Sequence, residues 1–76
     1  MNTPAMQARL SARQAQCLAL IAQGFTDPAI AAALAISETT VRYHVDQARR
    51  KLGAATRAHA VAMAVAQGLV DIEPAT

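Results

Sequence analysis

The chain has a single cysteine, so no internal disulfide can staple it, and the composition suits a reducing, cytoplasmic setting. Tryptophan is absent, with one tyrosine and one phenylalanine, so any core must be built from small aliphatic side chains. Abundant alanine favours short helices packed closely together. No run of about 18 apolar residues occurs, which excludes a membrane-spanning helix. The opening MNTPAMQARL lacks the charged, apolar and cleavable pattern of a signal peptide. Strand-forming residues never alternate over a useful window, so the fold class expected is all-α. Seventy-six residues suffice for one domain, near the lower size at which a chain builds a core unaided.

What is present is a series of helix starts and stops. Residues 1–9 have no period and read as a loose lead-in. Ser11 can cap a first helix running to about Gln23, with Gln14 as its capping-box partner and Gly24 as its stop. Leu10, Cys17, Leu18 and Ile21 supply its apolar stripe. Thr26 starts a second helix, with Asp27 at its positive end, Pro28 in its first turn, and Ile30, Ala31 and Leu34 facing inward. After the short link Ala35-Ile36, Ser37 caps a third helix that Gly53 ends. Two short helices joined by so tight a turn form a helix-turn-helix unit. Thr56 begins a fourth helix reaching about Gln67, and Gly68 stops it. The domain therefore spans 10–70, followed by an acidic tail over 71–76.

The third helix, within SETTVRYHVDQARRKL (37–52), has two distinct sides. Val41, Val45, Ala48 and Leu52 repeat at helical spacing and form a stripe to be buried. Thr39, Arg42, Tyr43, Asp46, Arg49 and Arg50 lie opposite. The net charge is only +2, but residues 37–57 hold Arg42, Arg49, Arg50, Lys51 and Arg57 against Glu38 and Asp46. A basic cluster on one face of a small domain is the footprint of a phosphate-backbone binder. Asp46 stands four residues from both Arg42 and Arg50, and its expected role is to orient the Arg42 guanidinium. Direct acceptance from a cytosine amino group is the alternative.

The fourth helix, through AHAVAMAVA, is apolar nearly all round. Val61, Ala64 and Val65 fall on one side, and His59, Ala62, Met63 and Ala66 on another. Such a helix is buried throughout or meets a partner, and in so small a domain the second set is expected to form a homodimer face.

An enzyme needs a poised nucleophile, base or metal cluster. Cys17 sits on an apolar stripe and reads as a buried structural thiol. His44 and His59 lack companion ligands at zinc spacing, and His44 flanks the buried stripe, which makes it a half-buried side chain. No glycine-rich loop is available for a nucleotide. The expectation is a non-enzymatic chain with no catalytic residues, no metal, no cofactor and no small-molecule ligand.

From LSARQAQCLALIAQG through TDPAIAAALAISETTVRYHVDQARRKLG to TRAHAVAMAVAQGLV, the chain resembles the LuxR/GerE-type helix-turn-helix domain. The resemblance covers residues 10–70. It implies a bacterial transcription regulator with four helices, the third entering the major groove of double-stranded DNA and the fourth dimerising. It further implies base contacts at Arg42, Tyr43 and Asp46, and backbone contacts at Thr26, Thr39, Thr40, Arg50 and Lys51. RNA polymerase or another regulatory protein is a further candidate partner. The length suits a stand-alone, GerE-like member, regulated by abundance or by another protein. Four positions depart from the family pattern. Gln14 and Gln16 stand where acids are frequent, Ala35 where a turn glycine is usual, and Asp46 where a basic or polar residue is frequent. Two other readings compete: a sigma-factor-like promoter-reading domain, which generally ends near its recognition helix, and a protein-interaction module that sequesters a larger regulator through the fourth helix.

Overall fold

The computed structural model describes residues 9–71, which form four helices: α1 (Ala12–Ala22), α2 (Asp27–Leu34), α3 (Glu38–Leu52) and α4 (Arg57–Ala66). Apart from Arg9 and Asp71, the expected lead-in and acidic tail lie outside the described residues.

Each helix begins where the sequence supplies a hydroxyl. Ser11 Oγ accepts from the Gln14 amide at 3.0 Å, and Gln14 Oε1 accepts from the Ser11 amide at 2.9 Å, closing a full capping box. Thr26, Ser37 and Thr56 cap the remaining helices by accepting from the amides of Ala29, Thr40 and His59. Helices α1 and α4 stop one residue short of the expected Gln23 and Gln67, which serve as caps.

All four helices end in one hydrogen-bond pattern. In α3 the Ala54 amide donates to the Arg49 carbonyl at 3.0 Å and the Gly53 amide to the Arg50 carbonyl at 3.1 Å. This paired closure requires a left-handed residue. Gly24, Gly53 and Gly68 provide it after α1, α3 and α4, whereas Ala35 provides it after α2 with φ 59° and ψ 45°. The Ile36 amide still reaches the Ala31 carbonyl at 3.0 Å. The turn keeps its geometry without glycine, and a β-carbon sits in a backbone region that L residues disfavour.

Helix α3 is the packing centre, in contact with α1, α2 and α4. Its stripe of Val41, Val45, Ala48 and Leu52 is buried as the spacing predicts. Cys17 and Leu18 from α1, Ile30 and Ala31 from α2, and Ala60 and Ala64 from α4 close over it, together with Ala54 and Val70. Leu10, Ile21, Leu34, Val61 and Val65 pack at the margin, half-buried. Ala60, rather than Val61 or Val65, is the residue that joins Ala64 in full burial. A wholly buried alanine lets the α4 backbone approach the core closely.

Ala35 carries a left-handed penalty of about 1–2 kcal/mol, against which glycine would loosen the unfolded chain by about 0.4–1 kcal/mol. Ala35→Gly is therefore expected to stabilise the domain by roughly 0.5–1 kcal/mol, raising the thermal midpoint by several degrees. Calorimetry measures this, and an unchanged or lowered midpoint would mean that the turn stores no such strain.

Candidate nucleic-acid interface

Because α3 buries one stripe, its other side is fixed toward solvent. Thr39, Arg42, Tyr43 and Arg50 are exposed along it, with Thr40 and Asp46 half-exposed. Tyr43 is 60% exposed and meets the half-buried His44 ring edge-on at 5.7 Å. Thr40 Oγ1 lies 2.9 Å from Ser37 Oγ, so its hydroxyl also braces the cap. Thr26 sits at the start of α2, where its Oγ1 accepts from the Ala29 amide at 3.3 Å.

The charges on this face pair in one direction. Arg42 reaches back to Glu38 at 3.8 Å, and Arg50 Nε reaches back to Asp46 Oδ2 at 2.9 Å. The expectation that Asp46 holds Arg42 is thus corrected: Asp46 holds Arg50 and Arg49. The cause is side-chain direction. Helical side chains lean toward the N-terminus, so a long arginine at i+4 folds back onto an acid at i more readily than it extends forward to one. Asp46 and Arg42 stand in the less favourable order.

Arg49, placed by its spacing on the outward face, turns instead to the α3–α4 junction. Its Nε and Nη2 donate to Asp46 Oδ1 at 3.2 and 3.0 Å, and its Nη1 donates to the Ala54 carbonyl at 3.0 Å. The hydrogen bond from Arg49 comes first among the causes that hold the Asp46 carboxyl below its ordinary value. The charges of Arg50 and Arg49 act in the same sense, against an opposing desolvation.

Two further cations are tied to distant parts of the chain. Lys51 Nζ donates to Gln14 Oε1 at 2.9 Å, joining the end of α3 to the start of α1. Gln14, where the family resemblance expects an acid, is buried and serves as a neutral acceptor. Arg57 Nη1 and Nη2 donate to Asp27 Oδ1 and Oδ2 at 3.0 and 3.3 Å, bridging the first turns of α4 and α2. Neither link was legible in the sequence, since the partners are 37 and 30 residues apart and no period relates them. Arg42, Arg49 and Arg57 also border a shallow cleft of about 480 Å³ with Asp27 and Asp46.

On α4, Ala62, Ala66 and His59 are exposed, while Met63 is half-buried against the core. The His59 ring has a local task as well, with Nδ1 accepting from the Ala55 amide at 3.4 Å just ahead of the helix. Cys17 is fully buried, and burial pushes its thiol above the ordinary value. Among the described residues there is no group of three or more His, Cys, Asp or Glu side chains placed to hold a metal ion. No described helix is long and apolar enough to cross a membrane.

Four capped helices, with α2 and α3 joined through a tight turn and a basic outward face on α3, define a helix-turn-helix domain. The chain belongs to the luxR family of bacterial regulatory proteins, whose GerE family model matches residues 8–64. It is 48% identical over 62 residues to a probable transcriptional regulatory protein NarL of Mycobacterium tuberculosis, covering 82% of this chain and 29% of that protein. It is 43% identical over 69 residues to the quorum sensing-dependent transcriptional regulator RpaR of Rhodopseudomonas palustris, covering 91% and 28%. To the transcriptional activator protein AhyR of Aeromonas hydrophila it is 39% identical over 64 residues, covering 84% and 25%. The chain spans less than a third of the length of these relatives.

A carboxyl held below its ordinary value contributes stability that is present above that value and lost as pH falls through the lowered one. Acid unfolding of the wild type is therefore expected to include a loss beginning below about pH 4 that Asp46→Asn lacks. Denaturant midpoints between pH 6 and 2.5 read it out as a shallower profile for the variant. Superimposable profiles would show that the pairing is not maintained in solution.

Proposed function

We propose that this chain is the sequence-specific, double-stranded-DNA-binding part of a transcriptional regulator, with α3 seated in the major groove and a second copy joined through α4. The observation that carries the reading is the outward face of α3. Arg42, Tyr43 and Arg50 project from a helix whose opposite stripe is locked in the core, and Glu38 holds Arg42 only at 3.8 Å. Arg42 is 56% exposed at its side chain and can present a guanidinium fork to guanine O6 and N7, the commonest specific contact in the major groove. Tyr43 adds a rigid exposed ring beside it. Arg50, Lys51, Thr39, Thr40 and Thr26 supply phosphate contacts at the two ends of the helix-turn-helix unit. Lys51 acts with the donors that Gln14 leaves it.

On α4, Ala62 and Ala66 leave room for a symmetry-related helix to approach closely, with His59 and Met63 at its flanks. A two-fold pair of such domains places two recognition helices about one DNA turn apart, roughly 34 Å, and calls for a pseudo-palindromic site. The names of the relatives, all regulators of transcription, support the same reading, and a cytoplasmic location goes with it.

Selection of bound genomic fragments by the purified chain would test the proposal and yield the operator at once. On that operator Arg42→Ala is expected to cost on the order of 1–3 kcal/mol at one base pair and to relax preference there. Because Asp46 does not hold Arg42, the effects of Arg42→Ala and an Asp46 substitution should add in a double-mutant cycle. A coupling above about 0.5 kcal/mol would contradict the observed pairing. Ala62→Glu should leave the circular-dichroism spectrum helical while abolishing cooperative binding to two half-sites, and retained cooperativity would place the dimer contact elsewhere.

A further inference from the structure

Asp46 is an acid in the middle of a face that carries arginines, and both oxygens of its carboxylate are engaged. Oδ1 accepts Nε and Nη2 of Arg49, and Oδ2 accepts Nε of Arg50. The two arginines are used very differently. Arg49 donates through all three of its nitrogens, two to Asp46 and the third to the Ala54 carbonyl, and its side chain is 29% exposed. Arg50 donates through Nε alone. Its Nη1 and Nη2 carry no protein partner among the described residues, and its side chain is 67% exposed. Adjacent residues of one type on one helix turn would otherwise offer two interchangeable cations to any anion nearby.

Building on the DNA-binding reading, we propose that Asp46 is a positioning residue that divides the two arginines between tasks. Arg49 becomes a strut from α3 to the turn before α4, and Arg50 presents its free Nη edge to the DNA phosphate backbone. Three features support this. The Arg49 guanidinium is planar and forked, so two bonds to one carboxylate and a third to a carbonyl fix its orientation. Ala54, its other partner, is buried between Gly53 and the start of α4, so the strut ties the DNA-facing helix to the connection leading into α4. Holding Arg50 by Nε leaves the Nη pair, the edge suited to two phosphate oxygens, without a hydrogen bond to Asp46.

The consequence for binding is a restraint on nonspecific affinity. Asp46, Arg49 and Arg50 together carry one net positive charge, and one arginine is withheld from phosphates. Asp46→Asn removes the carboxylate charge and frees Arg49, one residue along the helix from Arg50. Each additional phosphate neutralised steepens the log–log salt dependence by about 0.9.

The test is fluorescence anisotropy of the 76-residue chain with a labelled duplex of arbitrary sequence between 50 and 200 mM salt. Wild type, Asp46→Asn, Arg49→Ala and the double variant are compared, each checked for helicity. Arg49→Ala alone should leave the slope at the wild-type value, since Arg49 does not reach phosphates while clasped. Asp46→Asn should tighten binding at low salt and steepen the slope by about 0.9, equivalent to roughly a further three- to fourfold loss of affinity across that salt range. The double variant should return to the wild-type slope. A merely structural role for Asp46 would weaken binding without steepening it, which would overturn the proposal. Steepening that persists without Arg49 would overturn it too. An absence of any wild-type binding at 50 mM salt would instead defeat the DNA-binding reading itself. Independently of DNA, the Arg49 and Arg50 Nε–H resonances should be slow to exchange in the wild type and fast in Asp46→Asn. Equal exchange in both would show that the clasp does not form.

Discussion

The burial of Val41, Val45, Ala48 and Leu52 along one side of α3 is the constraint on which the rest of the structure depends. Three helices meet that stripe, and none contacts another as extensively as α1 contacts α3. With so few aromatic residues, the core gains its density from alanines that let backbones approach, such as Ala48, Ala60 and Ala64. A helix held on one side by all its neighbours has one orientation left for the other side. The outward face of α3 is in that sense a product of the core rather than a separate feature.

Charge is sorted on the same frame. Of the five basic residues within 37–57, three are bound to the protein itself: Arg49 to the turn before α4, Lys51 to Gln14, and Arg57 to Asp27. Arg42 and Arg50 remain most open, each tethered only to an acid one turn earlier. Exposed pairs of this kind contribute little stability, so their effect is on side-chain direction. Arg49 ties α3 to the turn before α4, Lys51 ties α3 to α1, and Arg57 ties α4 to α2. A basic cluster that looks uniform along the sequence is therefore divided into structural cations, Arg49 and Arg57, and presented ones, Arg42 and Arg50, with Lys51 tied to Gln14 yet still exposed.

The tight link between α2 and α3 shows a local rule met without its usual residue. Every helix ends in a left-handed position, and at Ala35 alone the position lacks glycine. The paired amide–carbonyl closure persists there, because the burial of Ala31 and Ile30 beneath α3 holds the second helix in place.

Helix starts, stops and the stripe of α3 were legible in the sequence because they rest on interactions within three or four residues. A hydroxyl meets an amide three positions on, a left-handed residue closes a turn, and apolar side chains recur at the helical period. Side-chain pairing was only half legible. Spacing admitted Asp46 to either Arg42 or Arg50, and the N-terminal lean of helical side chains chose Arg50. The retreat of Arg49 from the outward face depended on a carbonyl beyond the helix end, at Ala54. Lys51–Gln14 and Asp27–Arg57 required helices distant in sequence to be brought side by side. The sequence by itself determined the four helices and the face that α3 turns outward, since both follow from local hydrogen bonding and period. Which cations that face offers was decided only by the tertiary structure, because a guanidinium or ammonium goes to whichever acceptor the packing of the helices brings within reach.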